Sequence, residues 1–277
     1  MGNYENRIVI KAGTSTLMNE LGKSDLRAIE LLTRVLSDIH NSGYQVILVS
    51  SGAIAFGTGR LNLPRKPDSI RMKQAAAAVG QCSMLYLYDK FFGDYEQTVA
   101  QILLSADDLR QEPKRENLLN TFDTLLSLGV IPIVNENDSV NVAEIESEDH
   151  LFGDNDLLSA EVAVLCRAGK LILLSDAGGL YDKDPHLYPD AKLRETVERI
   201  DDCIYASLGT RASRRGSDGM KTKLRAAATA TESGIDAYIL HGKSPEAIYE
   251  VIRGSPAGTH FLAQHPRPRG THNYIET

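Results

Sequence analysis

Leu171-Ile-Leu-Leu-Ser-Asp-Ala-Gly-Gly-Leu-Tyr-Asp-Lys-Asp-Pro185 opens with an apolar run, ends it in Ser175-Asp176 and passes directly into Gly178-Gly179. A short apolar run closed by glycine fits a strand buried on both faces of a parallel sheet. The carboxyl end of such a strand opens toward a ligand crevice. The glycine pair alone is equally well read as an ordinary turn. The fold is decided by the recurrence of the same pattern elsewhere in the chain.

Toward the amino terminus, Arg7–Lys11 is a short strand that runs into Ala12-Gly-Thr-Ser-Thr16. From about Ser24, Leu26, Ile29, Leu32, Val35, Leu36 and Ile39 recur at helical spacing until Ser42-Gly43. Gln45–Val49 is the next apolar strand and ends in Ser50-Ser51-Gly52. Strand, helix and strand in this order make a βαβ unit, so the two strands are expected to be parallel. Ser69–Phe92 reads as a long helix whose small residues, Gln74-Ala-Ala-Ala-Ala-Val-Gly80, suit close packing on a second helix. Val99–Leu104 reads as a strand, Arg115–Leu128 as a helix, and Val130–Val134 as a strand ending in Asn135-Glu136-Asn137-Asp138. Gly153-Asp-Asn-Asp156 opens a helix over Leu157–Ala168, with Asp or Asn suited to the N-cap. Gly216–Ala230 reads as a glycine turn followed by a helix, and Ala237–Leu240 as the last clear strand. The alternation predicts an α/β protein, a three-layer αβα sandwich around a mainly parallel central sheet. No Ser-, Gly- or Pro-rich linker divides the chain, so residues 1–263 are expected to form one domain, with 264–277 a loosely held tail.

Composition removes several function classes. A net charge of −7 disfavours general binding to a nucleic-acid backbone. No apolar stretch is long enough to span a bilayer, and Met1–Arg7 has no apolar signal core. Cys82, Cys166 and Cys203 are odd in number and widely spaced, as expected of reduced thiols in a cytoplasmic protein. The histidines, among them His40, His150 and His241, show no metal-ligand spacing, so no metal site built from protein side chains is expected.

Most predicted strands end in polar or small residues, where a parallel sheet binds its ligands. Lys11 stands at one such end and could present a point charge to a transferring phosphate, although a lysine after a strand is more often a solvated terminus. Ser217-Asp218-Gly219-Met220-Lys221-Thr222-Lys223 opens a predicted helix whose backbone N–H groups would favour phosphate oxygens, with Lys223 in the first turn. Neither a Walker loop nor a protein-kinase pair of GxGxxG and HRD is present. Asp138, Asp154 and Asp156 form an acidic group. One role is helix capping; the other is recognition of a substrate ammonium and orientation of the lysines. Glu144, Glu146, Glu148 and Asp149 read as a solvated loop face.

Several segments then match a family in order and spacing. They are Val9-Ile-Lys-Ala-Gly13, Val49-Ser-Ser-Gly-Ala-Ile54, Lys73-Gln-Ala-Ala-Ala-Ala-Val-Gly-Gln81, Val130–Asp138, Phe152-Gly-Asp-Asn-Asp156, Leu158-Ser-Ala160 and Gly219-Met-Lys-Thr-Lys223. Over about Arg7 to Phe261 the chain resembles the glutamate 5-kinases, within the amino-acid kinases. The resemblance implies ATP-dependent phosphorylation of the side-chain carboxylate of L-glutamate to γ-glutamyl phosphate, the first step toward proline. It implies that Lys11 and Lys223 contact the phosphates and that Asp156 organises them. Ser51, Asp138 and Asn155 would hold glutamate, with Asn135 nearby. Ser175, Asp176 and Ser217–Lys223 (Ser217, Asp218, Gly219, Met220, Lys221, Thr222 and Lys223) would line the ATP site, and Mg²⁺ would arrive with the nucleotide. It further implies a homo-oligomer, dimer or tetramer, feedback inhibition by proline, and coupling to a glutamyl phosphate reductase.

Two departures stand out. Asp218 occupies a position where the family usually has glycine, and the loop Asn141–Leu151 is longer than expected. The C-terminal RNA-binding-like (PUA) domain carried by many members is expected to be absent. The nearest rivals within the fold are acetylglutamate, aspartate, uridylate and isopentenyl phosphate kinases. A rival of a different class is a catalytically silent sensor of amino acids or nucleotides. Asp138 favours an acceptor with a free amino group, and the presence of both lysines favours catalysis.

Overall fold

The structure is a computed structural model that describes residues 4–19, 22–140, 155–185, 187–207 and 216–265. A short 3₁₀ turn, Tyr4–Asn6, leads into β1 (Arg7–Lys11), α1 (Thr14–Leu17), α2 (Leu26–Asn41) and β2 (Gln45–Val49). Next come α3 (Ala53–Arg60), α4 (Ile70–Gly93), β3 (Val99–Leu104), α5 (Ala106–Arg110), α6 (Glu112–Ser127) and β4 (Ile131–Glu136). The second half supplies α7 (Asn155–Leu165), β5 (Lys170–Ser175), β6 (Thr196–Val197), α8 (Asp202–Ser207) and α9 (Gly216–Glu232). It closes with β7 (Asp236–His241), α10 (Ala247–Arg253) and β8 (Thr259–Phe261).

The strands form one sheet of eight in the order β3-β4-β2-β1-β5-β7-β8-β6. Every pairing is parallel except that of β7 with β8. Alternate residues of each strand enter opposite cores, as the period of two requires. Val9, Ile47, Val49, Leu171, Leu173 and Ile239 pack under Phe122 and Leu126 of α6, Leu158 and Val162 of α7, and Leu224 of α9. Ile8, Ile10, Val46, Leu48, Ile172 and Leu240 pack under Ile29 and Leu36 of α2, Met84, Tyr88 and Phe92 of α4, and Ile248 of α10. The three-layer α/β reading therefore holds.

Helices α3 and α4 meet at backbone distance. A Cβ on Gly57 would lie 1.8 Å from the Ala76 carbonyl oxygen, and one on Gly80 only 1.7 Å from that of Ala53. The small-residue run of α4 thus serves the close helix contact expected of it. Two local readings need correction. β4 continues through the polar Asn135-Glu136, which pair with Leu103 and Leu104 of β3 and are buried. In addition, α9 is already helical at Gly216, so the expected glycine turn is helix. Lys223 accordingly stands about two turns into α9 and not in its first turn.

Candidate active site

β4, β2, β1 and β5 are successive neighbours in the sheet, so their carboxyl ends lie side by side at about 4.8 Å per strand. Lys11 is the last residue of β1 and is 6% exposed. Its Nζ lies 2.6 Å from Oδ1 of Asp156, which is 1% exposed in the first turn of α7. Lys223 reaches the same carboxylate from α9, with Nζ 3.0 Å from Oδ2. Thr222 adds a hydroxyl that donates to Oδ2 at 3.2 Å. Burial alone would raise the Asp156 carboxyl; the ammonium groups of Lys11 and Lys223 outweigh it and hold the pKa below the ordinary Asp value. Asp156 is therefore ionised at neutral pH, and two cations share one anion. The excess positive charge is available to an anionic ligand.

The other half of the site is amide-lined. Asn155, beside Asp156, donates from Nδ2 to the Ser50 carbonyl and to Oδ1 of Asn135, both at 3.0 Å. This leaves Nδ2 of Asn135 and Oδ1 of Asn155 buried and without a hydrogen-bond partner among the described residues. A buried orphan of this kind costs about 1–3 kcal/mol, so the pair is better explained as the half-made contacts of a ligand site than as a structural bridge. Ser51 bonds the Ala12 carbonyl at 3.3 Å, close to the hydroxyl of Thr14. Gly52 holds the turn between β2 and α3 at φ +95°, where a side chain would be strained and would press on Thr14.

These groups enclose a cavity of about 730 Å³, lined by Lys11, Ser51, Asp138, Asn155 and Lys223. The structure thus brings together most of the residues expected to act at the acceptor, with Asn135 directly behind Asn155. Sequence reasoning gave no role to Gly13, Thr14, Ser15, Lys66 or Lys73, yet all of them line the same cavity. For Gly13 the signal was its place two residues after Lys11: a Cβ there would sit 3.4 Å from the Lys11 ammonium.

The nucleotide side is less concentrated. Ser175 is buried at the end of β5, with its hydroxyl turned to Asp176 and the Ala177 N–H. Asp176 is exposed, and neither residue lines the cavity around Lys11. Gly219 and Met220 lie in the first turns of α9, Met220 packs against the core, and Lys221 points to solvent. The side chains of Ser217 and Asp218 lie outside the described residues, as do Asp154 and the whole loop Asn141–Leu151.

The model of the amino acid kinase family matches residues 6–241. A glutamate 5-kinase of Clostridium perfringens is 50% identical over 93% of this chain and 96% of its own length. The chain belongs to the glutamate 5-kinase branch of the amino acid kinase family. A glutamate 5-kinase of Clostridium acetobutylicum is 48% identical over 93% of this chain and 94% of its own length. Among solved structures, a carbamate kinase from Giardia lamblia bound to AMP-PNP matches with a TM-score of 0.64 at 15% identity, covering 92% of this chain and 98% of that one. An isopentenyl phosphate kinase from T. acidophilum matches at 0.62 and 19%, covering 92% and 99%. At such identities the solved structures speak for the amino acid kinase fold alone.

Proposed function

We propose that the chain transfers the γ-phosphoryl group of ATP to the side-chain carboxylate of L-glutamate, forming γ-glutamyl phosphate. The observation that carries this reading is the Lys11–Asp156–Lys223 cluster, set against a cavity that also holds Asp138 and the orphaned amide of Asn155. The membership of the chain among glutamate 5-kinases supports it independently.

The chemistry suits these groups. The acceptor carboxylate is ionised at neutral pH, so the reaction needs no general base. Its obstacle is repulsion between the carboxylate and the γ-phosphate. Lys11 and Lys223 offset that repulsion as point charges already fixed by Asp156, so little reorganisation accompanies the reaction. Asn155 and Asn135 offer the substrate an acceptor and a donor that have no partner among the described residues, and Asp138 is suited to its ammonium. Asp138 favours glutamate over an N-acetylated amino acid, which has no such charge.

Mg²⁺ would neutralise phosphate charge when the nucleotide is bound. Among the described residues no three His, Cys, Asp or Glu side chains converge on a point. The ion would be held mainly by phosphate oxygens and water. The reading extends to a kinase domain over residues 1–263, acting in the cytoplasm as a homo-oligomer. In that setting proline would inhibit, and a glutamyl phosphate reductase would consume the labile product.

The test is incubation with Mg-ATP, L-glutamate and hydroxylamine, with the acyl phosphate trapped as γ-glutamyl hydroxamate. Equal or greater turnover of aspartate or N-acetylglutamate would overturn the substrate assignment.

A further inference from the structure

We propose that Lys73 binds the α-carboxylate of the acceptor and so fixes which end of the amino acid faces the phosphate. The inference rests on the reading that the acceptor is L-glutamate. Lysines 11, 66, 73 and 223 all line the cavity. Lys11 and Lys223 are committed to Asp156. Among the described residues, the Lys73 ammonium has neither an ion pair nor a hydrogen bond. It is half-buried, whereas Lys66 is exposed on the segment before α4.

The position of Lys73 is electrostatically unusual. It lies in the first turn of α4, where Ser69 caps the N–H of Met72. That turn carries no acidic residue. A helix amino terminus favours anions, so a cation there is disfavoured by its own helix. Both the dipole and the unneutralised ammonium are relieved by the same thing, an anion in the adjoining cavity.

The location selects which anion. α4 packs on the acceptor half of the sheet: Tyr88 bonds Ser50 at 2.9 Å, and Gln81 donates to the Glu136 carbonyl at 3.1 Å. α9, which carries Lys223, packs on the opposite face of the sheet. Glutamate offers three charges. Its reacting carboxylate belongs at Lys11 and Lys223, and its ammonium suits Asp138. Its second carboxylate requires another cation on the acceptor side, and Lys73 supplies it.

The test uses the full chain with Lys73→Met and compares L-glutamate with 4-aminobutyrate, which is glutamate without its α-carboxylate. A lost charge-assisted contact raises KM for glutamate roughly ten- to hundredfold. KM for ATP is expected to stay within about twofold of wild type, on the margin of that same contact energy. The inhibition constant of 4-aminobutyrate against glutamate should not change, and Lys73→Arg should recover most of the glutamate affinity. An unchanged KM for glutamate overturns the proposal. So does a parallel rise in KM for ATP, which would assign Lys73 to phosphate, or equal weakening of both acceptors, which would make its effect structural. Failure of the wild-type chain to phosphorylate glutamate would instead overturn the acceptor reading, and this inference with it.

Discussion

Asp156→Asn removes one negative charge and almost nothing else. The amide keeps the size of the side chain and can still accept from Thr222. Lys11 and Lys223, 8% and 12% exposed at their side chains, then face each other with no anion between them. Removing one partner of a buried ion pair typically costs about 3–5 kcal/mol, because the remaining charge is stranded. For a domain of this size each kcal/mol lowers Tm by about 2 °C, so thermal unfolding should fall by roughly 6–10 °C. A residue that merely favoured the amino terminus of α7 would contribute about 0.3–1 kcal/mol, or at most about 2 °C. The two magnitudes are far enough apart for calorimetry to choose between them. With its lysines no longer held, the variant should also lose kcat on the order of 100-fold, the usual effect of a displacement near 1 Å in a reacting group. KM for ATP should not rise, since phosphate can replace the missing carboxylate. The pH dependence has a definite sign. Because the folded pKa of Asp156 is depressed, its stabilisation is full above the unfolded value near 3.8 and is lost as pH falls toward the folded one. Wild type should therefore lose more stability than the variant on acidification below about pH 4, where that carboxyl titrates. A variant whose Tm lies within 2 °C of wild type and whose kcat lies within twofold would refute the ion-pair argument, on the roughly 2 °C bound set by the dipole alone.

Lys11→Ala and Lys223→Ala should each reduce kcat by roughly 100- to 1,000-fold in steady-state assays, as expected for a donor acting on transition-state charge. Near-wild-type kcat in either would remove that lysine from the mechanism. Asp138→Asn should raise KM for glutamate roughly ten- to hundredfold and leave KM for ATP and Tm unchanged; a fall in Tm with unaltered kinetics would make Asp138 a turn residue. Gly80→Ala places a methyl 1.7 Å from the Ala53 carbonyl oxygen. Overpacking of that kind costs about 1–3 kcal/mol, a fall of roughly 2–6 °C in Tm that a scan would detect.

The sequence signal for the sheet was strong where strands are buried on both faces. Ile8–Ile10, Val46–Val49 and Leu171–Leu174 are continuous apolar runs because both cores claim them. It failed where that pressure is absent or overridden. β6 and β8 are only two and three residues long, and no periodicity can be read from such lengths. Asn135 and Glu136 look like a loop but are strand, since β3 continues the ladder opposite them through Leu103 and Leu104. Gly216 and Gly219 suggested a turn, yet glycine weakens a helix by only about 1 kcal/mol, and the packed helix prevails. In the candidate site, Lys11, Asp156 and Lys223 were legible in motifs, and the resemblance implied that Asp156 organises the lysines; the direct contact of each ammonium with a separate oxygen of that carboxylate came only with the structure. Lys73 was visible as the first residue of a family-matching segment on an alanine-rich helix, with no role attached to it. Its place in the cavity depends on how closely α3 and α4 approach, which Gly57 and Gly80 govern.

The charge balance explains why the site is built in this way. The chain carries a net charge of −7, which repels both ATP and a dicarboxylic amino acid at long range. Beyond a Debye length of about 8 Å at physiological salt that repulsion is screened, and the local field decides binding. Locally the sign is reversed: among the described residues four lysines line the cavity, against Asp138 on its wall and Asp156 beside Lys11 and Lys223. Lysine suits this work because its ammonium is a compact point charge that can meet a phosphate or carboxylate oxygen from several directions. Left without a partner, two ammonium groups this close would repel each other. Asp156 offsets that repulsion, and because it offers one charge to two cations it cannot satisfy them fully. The pair is thus held in place before the substrates arrive while still carrying the positive charge that the transferring phosphoryl group requires.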